Sequence, residues 1–333
     1  MFSPNILITN YCNQNCSFCF AKQLMSDSKI PKEMSIENFK RLLKKIKRTK
    51  NTQVIKLFGG EPTLHPQFKA FVELALNEFP YVNVFTNGIV PDEKINVLQK
   101  HFPRISFIIN MQTPGFEHNP QIQQKVIDLI KKLSAKTGVT LSINIYPVLN
   151  ISKIVNRYKK TGILKNIKHI RLGCSNPIAY GKNHYSYNEF HKLGLLTMQF
   201  IRKLIEISPR MRLTLDCGFT PCMFSEKNQH YLTSVVSKKD WGCTIGNLDI
   251  DTSLTAFSCY PLSKLKQFRL HIKDVSIKSA LMRLMIIQYA YQDNLASAFC
   301  KQCKFYGQGK NKCTGPCMAF LINNKNSEEK ISL

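Results

Sequence analysis

Short apolar runs alternate with amphipathic stretches through the first two-thirds of the chain. Within residues 35–48, Phe39, Leu42, Leu43 and Ile46 recur at helical spacing, and basic residues occupy the opposite face. Alternating strands and helices predict a parallel sheet with helices outside it, but the pattern does not distinguish an open sheet from a partial barrel. The predicted strands are residues 6–9, 54–58, 82–85, 105–110, 141–146 and 169–172.

The composition changes near residue 210, where the alternation of strands and helices stops. Eight of the twelve cysteines fall between Cys217 and Cys317. We therefore predict an α/β domain over residues 1–210, a small cysteine-rich domain over 211–322, and a polar, frayed tail over 323–333.

The overall composition is that of an ordinary soluble protein, with 44% hydrophobic and 20% charged residues. No apolar stretch approaches the roughly 20 residues that span a bilayer, and no signal peptide is evident. Many cysteines in a chain without an export signal favour metal binding in a reducing compartment over disulfides. We therefore expect a cytoplasmic protein without a membrane partner.

The chain is strongly basic, with a formal net charge of +26. Its basic residues gather within 40–50 and within 153–168. Either these are solvated helix faces, or they attract an acidic partner such as an acidic peptide, a polycarboxylate or nucleic acid. No basic segment is interleaved with stacking aromatic residues in the manner of an RNA-binding module, so we expect no nucleic-acid partner.

The N-terminal region contains a C-x3-C-x2-C motif formed by Cys12, Cys16 and Cys19. A tetrahedral zinc site would need a fourth ligand, and no other Cys or His occurs before His65. Three thiolates suit a [4Fe–4S] cluster in which one iron stays open for a ligand from outside the protein. The motif resembles the signature of the radical SAM superfamily, in which S-adenosylmethionine (SAM) binds that iron through its amino and carboxylate groups.

A second motif, Gly59-Gly60-Glu61-Pro62, follows the apolar run 54–57 and resembles the GGEP motif of the same superfamily. The resemblance implies that this segment meets the SAM amino group, to which backbone carbonyls and a carboxylate are suited. It covers roughly residues 4–210 and implies a partial (β/α)6 TIM-like barrel. Both motifs would then lie at the carboxyl ends of strands, where active sites of parallel folds form.

The resemblance also implies a reaction and further site residues. An external reductant such as flavodoxin or ferredoxin would reduce the cluster, which would split SAM and release a 5′-deoxyadenosyl radical. Phe18 would lie near the adenine, and Asn110, Asn144 and Arg171 near the ribose and carboxylate, although polar residues are common at barrel-strand ends in any case. Cys174 either donates a hydrogen atom to a substrate radical or packs as a buried thiol.

The C-terminal cysteines form a second array, in which Cys243 and Cys259 flank a predicted hairpin. A C-x2-C-x9-C-x3-C segment follows, formed by Cys300, Cys303, Cys313 and Cys317. The array resembles the SPASM extension of radical SAM enzymes, which carries auxiliary [4Fe–4S] clusters.

The resemblance implies a division of these cysteines between two auxiliary sites. The first site would be formed by Cys222, Cys243, Cys259 and Cys317. The second would be formed by Cys300, Cys303, Cys313 and the remaining nearby thiol, Cys217.

The array departs from the family pattern at three points. Leu254 stands where the extension usually has glycine, nine residues rather than five separate Cys303 from Cys313, and no cysteine follows Cys317. Two alternatives therefore stay open. One is zinc bound by the four thiolates of the C-x2-C-x9-C-x3-C segment, and the other is a single auxiliary cluster with some free thiols.

These features predict an enzyme that cleaves SAM reductively and abstracts hydrogen from a peptide or protein substrate, as in crosslinking, epimerisation or oxidation. Only eleven residues precede Cys12, so we expect no fused leader-binding domain. One alternative is radical modification or decarboxylation of a small polycarboxylate such as a tetrapyrrole. The other is a non-catalytic iron–sulfur protein that binds nucleic acid, against which the two intact motifs argue.

Overall fold

The computed structural model describes residues 2–175, 178–179, 187–239, 241–243, 246–307 and 312–331. The chain divides into two compact units. The first unit comprises Met1–Thr140 and Ile245–Gln288, and the second comprises Leu141–Thr244 and Tyr289–Leu333. Among the described residues, none of the helices is long and apolar enough to cross a membrane.

Strands and helices alternate regularly through the first half of the chain. In order, they are β1 (Asn5–Thr9), α1 (Lys22–Met25), α2 (Ile36–Lys47), β2 (Val54–Gly59), α3 (Phe68–Glu78), β3 (Tyr81–Thr86), α4 (Asp92–Asn96), β4 (Ile105–Asn110), α5 (Pro114–His118), α6 (Pro120–Ser134), β5 (Gly138–Ile145), α7 (Ile151–Thr161) and β6 (His169–Cys174). The six predicted strands correspond to β1–β6, which confirms the predicted α/β fold with a parallel sheet.

The second half contains shorter strands and longer helices. In order, they are α8 (Tyr187–Ile207), β7 (Arg212–Leu215), α9 (Glu226–Val235), β8 (Val236–Lys239), β9 (Asp249–Ile250), β10 (Thr255–Phe257), β11 (Arg269–His271), α10 (Ile277–Leu295), α11 (Ala298–Gln302) and α12 (Met318–Ile331). The parallel strands continue through β7 and β8, beyond the point near residue 210 where the sequence pattern predicted them to stop.

The strands of the first unit stand in the order β11-β10-β9-β1-β2-β3-β4. β1 to β4 pair in parallel, so their carboxyl ends share one edge. Their interior is apolar: Ile6, Leu7 and Ile8 of β1 are completely buried. On the other side of β1, β9 adds in parallel and continues into an antiparallel hairpin with β10, so the hairpin predicted between Cys243 and Cys259 is confirmed.

The amphipathic pattern of residues 35–48 forms α2. Ser35 caps its N-terminus by accepting a hydrogen bond from the Asn38 backbone N–H. The helix buries the predicted stripe and leaves most of its basic side chains outward, because burying an unpaired ammonium group is costly.

The second unit contains the strands β5-β6-β7-β8 in that order. β6 pairs in parallel with β7 from His169 to Leu172, and β7 pairs in parallel with β8. The carboxyl ends of β6 and β7 therefore bring Cys174 and the Asp216–Cys217 segment to one edge.

The C-terminal segment is helical where the sequence predicted a frayed tail. α12 runs to Ile331, and residues 332–333 lie outside the described part of the chain. Its first turns are anchored by buried apolar residues, among them Met318 and Phe320, and Phe320 stacks on Phe190 with ring centroids 5.4 Å apart. Once the first turns of a helix are fixed, each further residue adds one backbone hydrogen bond. The helix therefore continues through the polar residues that follow.

Candidate active site

The C-x3-C-x2-C motif occupies the loop that leaves the carboxyl end of β1. Two polar side chains inside the motif brace this loop. The Asn13 side chain donates to the Ile89 carbonyl at 2.9 Å and accepts from the Asn87 side chain at 2.7 Å, and Gln14 Oε1 accepts from the Gly115 N–H at 2.7 Å. Sequence reasoning missed both braces, because their partners lie far along the chain and only their place inside the motif marks them.

The three thiols of the motif lie half-buried and close to one another. Burial raises the pKa of Cys16 to about 12, and the charges of Cys19 and Cys12 contribute to the rise. Burial likewise raises the pKa values of Cys12 and Cys19. Thiolates this close repel one another unless a cation neutralises them, so the arrangement fits a positively charged iron–sulfur core.

Among the described residues, no three Cys, His, Asp or Glu side chains converge as they would on one metal ion. A [4Fe–4S] cluster makes a different demand, because each of its thiolate ligands binds a different iron.

Gly60 joins the end of β2 directly to the cysteine loop. Its N–H donates to the Thr9 carbonyl at 2.9 Å, and the Glu61 N–H donates to the Tyr11 carbonyl at 2.7 Å. A Cβ atom at residue 60 would lie 2.3 Å from the Tyr11 oxygen and 2.8 Å from Cys12 Cβ. Only glycine fits there, which gives the Gly59-Gly60 pair a packing reason beyond a tight turn.

The Glu61 carboxylate is completely buried and accepts four hydrogen bonds. Three come from the Thr63 N–H, the Thr63 hydroxyl and the Thr86 hydroxyl, and one from the Asn87 N–H. Burial raises its pKa, and these hydrogen bonds oppose the rise. The carboxylate thereby fastens β2 to the end of β3. The half-buried Gly59 and Gly60 lie nearer the surface, and the contact of this segment with the SAM amino group stays a prediction.

Other predicted contacts of the first unit lie near the same edge. Asn110 ends β4, and its side-chain oxygen accepts from the Gln112 N–H at 2.8 Å. Phe18 is half-buried in the cysteine loop, and Pro62 begins a buried 3-10 turn. Beneath the loop lies an apolar floor that sequence reasoning missed, in which Tyr260 packs with Phe20 at a centroid distance of 5.5 Å.

Arg171 and Asn144 lie in the second unit. The Arg171 guanidinium forms an ion pair with Asp216 and donates to the Ser142 hydroxyl at 3.0 Å. Sequence reasoning missed Asp216, and the contact of Arg171 with SAM stays a prediction. Asn144 lies in β5, with its side-chain oxygen facing Gly173 of β6.

Cys174 ends β6 and is 5% exposed. Burial raises its pKa well above the ordinary value, with further contributions from Cys317 and Asp216. This shift favours the protonated thiol.

The C-terminal cysteines of the second unit fall into two groups. Burial raises the pKa of Cys217, and Asp216, Cys243 and Cys317 add to the rise. Burial also raises the pKa of Cys313 to about 12, with contributions from Cys222, Cys300 and Cys303. Cys259 follows β10 in the first unit, where it begins the 3-10 turn Tyr260–Leu262.

Three clustered thiols at the carboxyl edge of a parallel α/β barrel sheet define a class of iron–sulfur enzymes. Residues 6–160, a little under half of the chain, match the model of the radical SAM superfamily. This match confirms the radical SAM domain that the two motifs predicted.

Two curated relatives match part of the chain. The sporulation killing factor maturation protein SkfB of Bacillus subtilis is 31% identical over 169 residues, which are 48% of this chain and 40% of SkfB. The 7,8-dihydro-6-hydroxymethylpterin dimethyltransferase of Methanocaldococcus jannaschii is 34% identical over 141 residues, which are 39% of this chain and 27% of the relative. The chain therefore matches less than half the length of either protein.

The fold resembles that of Streptococcus suis SuiB, whose crystal structure was determined with SAM bound. The two superpose with a TM-score of 0.70 over 97% of this chain and 74% of SuiB, at 16% identity. At that identity the likeness shows a shared fold, including the region after residue 210, and leaves the activity open.

Proposed function

We propose that this protein is a radical SAM enzyme that cleaves SAM reductively and abstracts hydrogen from a peptide or protein. The observation that carries the proposal is the loop of Cys12, Cys16 and Cys19 at the carboxyl edge of the sheet, where Gly60 packs against Tyr11 and Cys12. When bound, a reduced [4Fe–4S] cluster supplies the electron that splits SAM into methionine and a 5′-deoxyadenosyl radical.

The chain's own residues would hold and orient these groups. Cys12, Cys16 and Cys19 would bind three irons, and their loop would be kept in shape by Asn13 and Gln14. The carbonyl groups of Gly59 and Gly60 would accept hydrogen bonds from the SAM ammonium group. Glu61 would act as a positioning residue that fixes this segment, because its buried carboxylate binds Thr86 and Asn87 at the end of β3.

The relatives support a peptide substrate. SkfB is by name a maturation protein of a killing factor, and SuiB has been crystallised with its precursor peptide SuiA. The fold of that complex matches this chain with a TM-score of 0.62 at 15% identity. The name of the methyltransferase relative gives a pterin, which is a small molecule, as its substrate. The small polycarboxylate considered as an alternative substrate is therefore the control for a peptide.

We further propose that the eight cysteines from Cys217 to Cys317 hold two auxiliary [4Fe–4S] clusters. Eight thiols equal two sets of four. Within the second unit, Cys243 and Cys317 add to the raised pKa of Cys217, and Cys222, Cys300 and Cys303 add to the raised pKa of Cys313. Metal analysis distinguishes this arrangement from its alternatives. Three clusters would give about twelve irons per chain, whereas a zinc site would give fewer irons and about one zinc.

The proposed activity is tested with anaerobically prepared protein, SAM and a reductant such as dithionite or reduced flavodoxin. We expect formation of 5′-deoxyadenosine, and its loss when Cys12, Cys16 and Cys19 are all replaced by Ala. Candidate acidic peptides should change in mass by the loss of two hydrogens, or gain deuterium from solvent. Continued SAM cleavage by the triple variant would refute the cluster assignment, and turnover of a tetrapyrrole or an RNA but of no peptide would refute the substrate class.

A further inference from the structure

Backbone hydrogen bonds hold Cys217 beside Cys243 in the second unit. The Gly218 N–H donates to the Gly242 carbonyl at 2.9 Å, and the Gly242 N–H donates to the Phe219 carbonyl at 2.6 Å. Since Gly218 follows Cys217 and Gly242 precedes Cys243, this double contact aligns the two cysteine segments.

The same ladder continues to the segment before Cys317. The Cys243 N–H donates to the Gly315 carbonyl at 3.0 Å, and the Thr314 hydroxyl donates to the Cys243 carbonyl at 2.9 Å. A Cβ atom on Gly242 would lie 2.5 Å from the Gly315 oxygen, so these backbones touch. Cys217, Cys243 and Cys317 are therefore linked by main-chain contacts that do not involve Cys222.

Cys222 lies in the 3-10 turn Pro221–Met223, which is linked to the segment of Cys300 and Cys303. Helix α9 begins just after this turn, and its Glu226 pairs with Lys304 at 3.4 Å. Lys304 follows Cys303 directly, so the ion pair joins the Cys222 segment to the Cys300–Cys303 segment.

The Cys313 segment is joined to the Cys300–Cys303 segment by hydrogen bonds. The Tyr306 N–H donates to the Cys303 carbonyl at 3.0 Å, and the Cys313 N–H donates to the Phe305 carbonyl at 2.7 Å. The Lys312 ammonium donates to the Lys304 carbonyl at 3.1 Å. Three cysteine-bearing segments of the chain are thus linked at Lys304, and on the first of them the Thr220 hydroxyl lies 3.1 Å from the Cys222 sulfur.

We propose that Cys222 is the fourth thiolate ligand of the auxiliary site formed with Cys300, Cys303 and Cys313. Cys217 then belongs to the site of Cys243 and Cys317. Cys217 and Cys222 therefore exchange the two auxiliary sites that the family resemblance implied for them. The proposal rests on the auxiliary clusters proposed above and assigns their ligands.

This ligand set has a chemical consequence. With four thiolates, every iron of the cluster carries a protein ligand, and none is open to a substrate. The site is then suited to electron transfer, and the Thr220 hydroxyl would lie within hydrogen-bonding distance of one ligand sulfur. Hydrogen bonds to ligand sulfurs raise the reduction potential of such clusters.

The test counts auxiliary iron in the full chain with Cys12, Cys16 and Cys19 replaced by Ala, which removes the SAM-binding cluster. This background protein should hold about eight irons per chain. Cys222→Ala should lower that number by up to about four irons, and so should the pair Cys300→Ala and Cys303→Ala. Combining the three substitutions should lower it no further, because all three ligands serve one cluster.

Cys217→Ala is the matched control. The double variant Cys217→Ala and Cys243→Ala should lose no more iron than the single variant that loses more, because both residues bind the same cluster. The double variant Cys222→Ala and Cys243→Ala should lose both clusters. The reverse pattern, with Cys222 overlapping Cys243 and Cys217 overlapping Cys300, would overturn the assignment.

A milder substitution covers the case in which the alanine variants do not fold. Cys222→Ser keeps a possible oxygen ligand, so it should shift the electron paramagnetic resonance spectrum of the cluster that needs Cys300 and leave the other spectrum unchanged. A shift confined to the cluster that needs Cys243 would also overturn the assignment. If the background protein holds zinc or no auxiliary iron, the proposed clusters themselves fail, and this is seen before any Cys222 variant is made.

Discussion

At the residue scale, the Glu61 carboxylate of the second motif binds residues that are distant in the chain. It accepts hydrogen bonds from residues up to 26 positions away in the chain, namely Thr86 and Asn87. The sequence predicts the motif but not these partners, because nothing local to Glu61 marks the end of β3 as its neighbour. The physical role of the residue is therefore visible only in the folded chain.

We expect Glu61→Ala to lower the free energy of unfolding by about 1–3 kcal/mol, since it leaves buried donors unpaired. SAM affinity should fall as well, because the Gly59-Gly60 segment loses its anchor. Urea unfolding of the metal-free protein measures the first effect, and Glu37→Ala, on the exposed face of α2, is the control that should change little. A variant with unchanged stability and weakened SAM binding would instead restore a direct contact between Glu61 and SAM.

Leu254 is a second residue whose place explains a departure from the family pattern. It adopts φ +64 in the turn between β9 and β10, a conformation that favours glycine. Asp251 shapes this turn by accepting hydrogen bonds from Ser253 and Thr255. The leucine side chain is 9% exposed, so its burial offsets the backbone strain.

We expect both Leu254→Ala and Leu254→Gly to destabilise the protein, because both lose the buried side chain. The glycine variant should retain about 1 kcal/mol more stability than the alanine variant, since only glycine relieves the left-handed strain. Thermal or urea unfolding of the two variants side by side measures this difference. Equal stabilities, or a more stable alanine variant, would contradict the account of the turn.

At the scale of elements, the sequence predicted strands β1 to β6 but not the pairing of the short strand β9 with β1. β1 to β6 have apolar runs long enough to stand out between helices, and the observed bounds differ from the predicted ones by at most a few residues. β9 has only two residues, yet it pairs with β1 from more than 240 positions away. Such a pairing depends on the folded sheet edge, and no local pattern encodes it.

The contact between β2 and the cysteine loop gives the sharpest test at this scale. Gly60→Ala would drive a Cβ atom into the Tyr11 carbonyl and Cys12. We expect the variant to lose most of the iron of the SAM-binding cluster while keeping auxiliary iron. Gly138→Ala, where the nearest atom to a new Cβ is 3.3 Å away, is the matched control and should keep its full iron content. Equal iron in the two variants would argue against the close packing of this loop.

At the scale of the whole molecule, the net charge of +26 has two explanations, namely solvated helix faces or a surface that attracts an acidic partner. The ion pairs and hydrogen bonds of the basic residues on α2 help to distinguish them. On α2, Arg41 pairs with Glu37, Lys47 pairs with Glu78, and Lys45 binds the carbonyls of Lys273 and Val275. These three side chains serve the fold. The exposed Lys40 and Lys44 are therefore the better candidates for attracting an acidic partner.

We expect Lys40→Glu combined with Lys44→Glu to slow reduction by the acidic protein flavodoxin by about tenfold or more at low salt, because charge steering acts on association. The difference should shrink as the salt concentration rises. Stopped-flow reduction measures the rates, and reduction by dithionite is the control that should change far less. Identical rates with flavodoxin would leave α2 as a solvated face.

The segment from Cys313 to Cys317 joins the two groups of C-terminal thiols through only three intervening residues, one of which, Gly315, is bonded to Cys243. Four peptide units span at most about 14 Å between the two α-carbons. If each group holds a cluster, the two clusters are tethered at short range by the covalent chain itself. An electron would then have a fixed, brief path from one to the other, and neither cluster could be assembled without partly ordering the ligands of its neighbour.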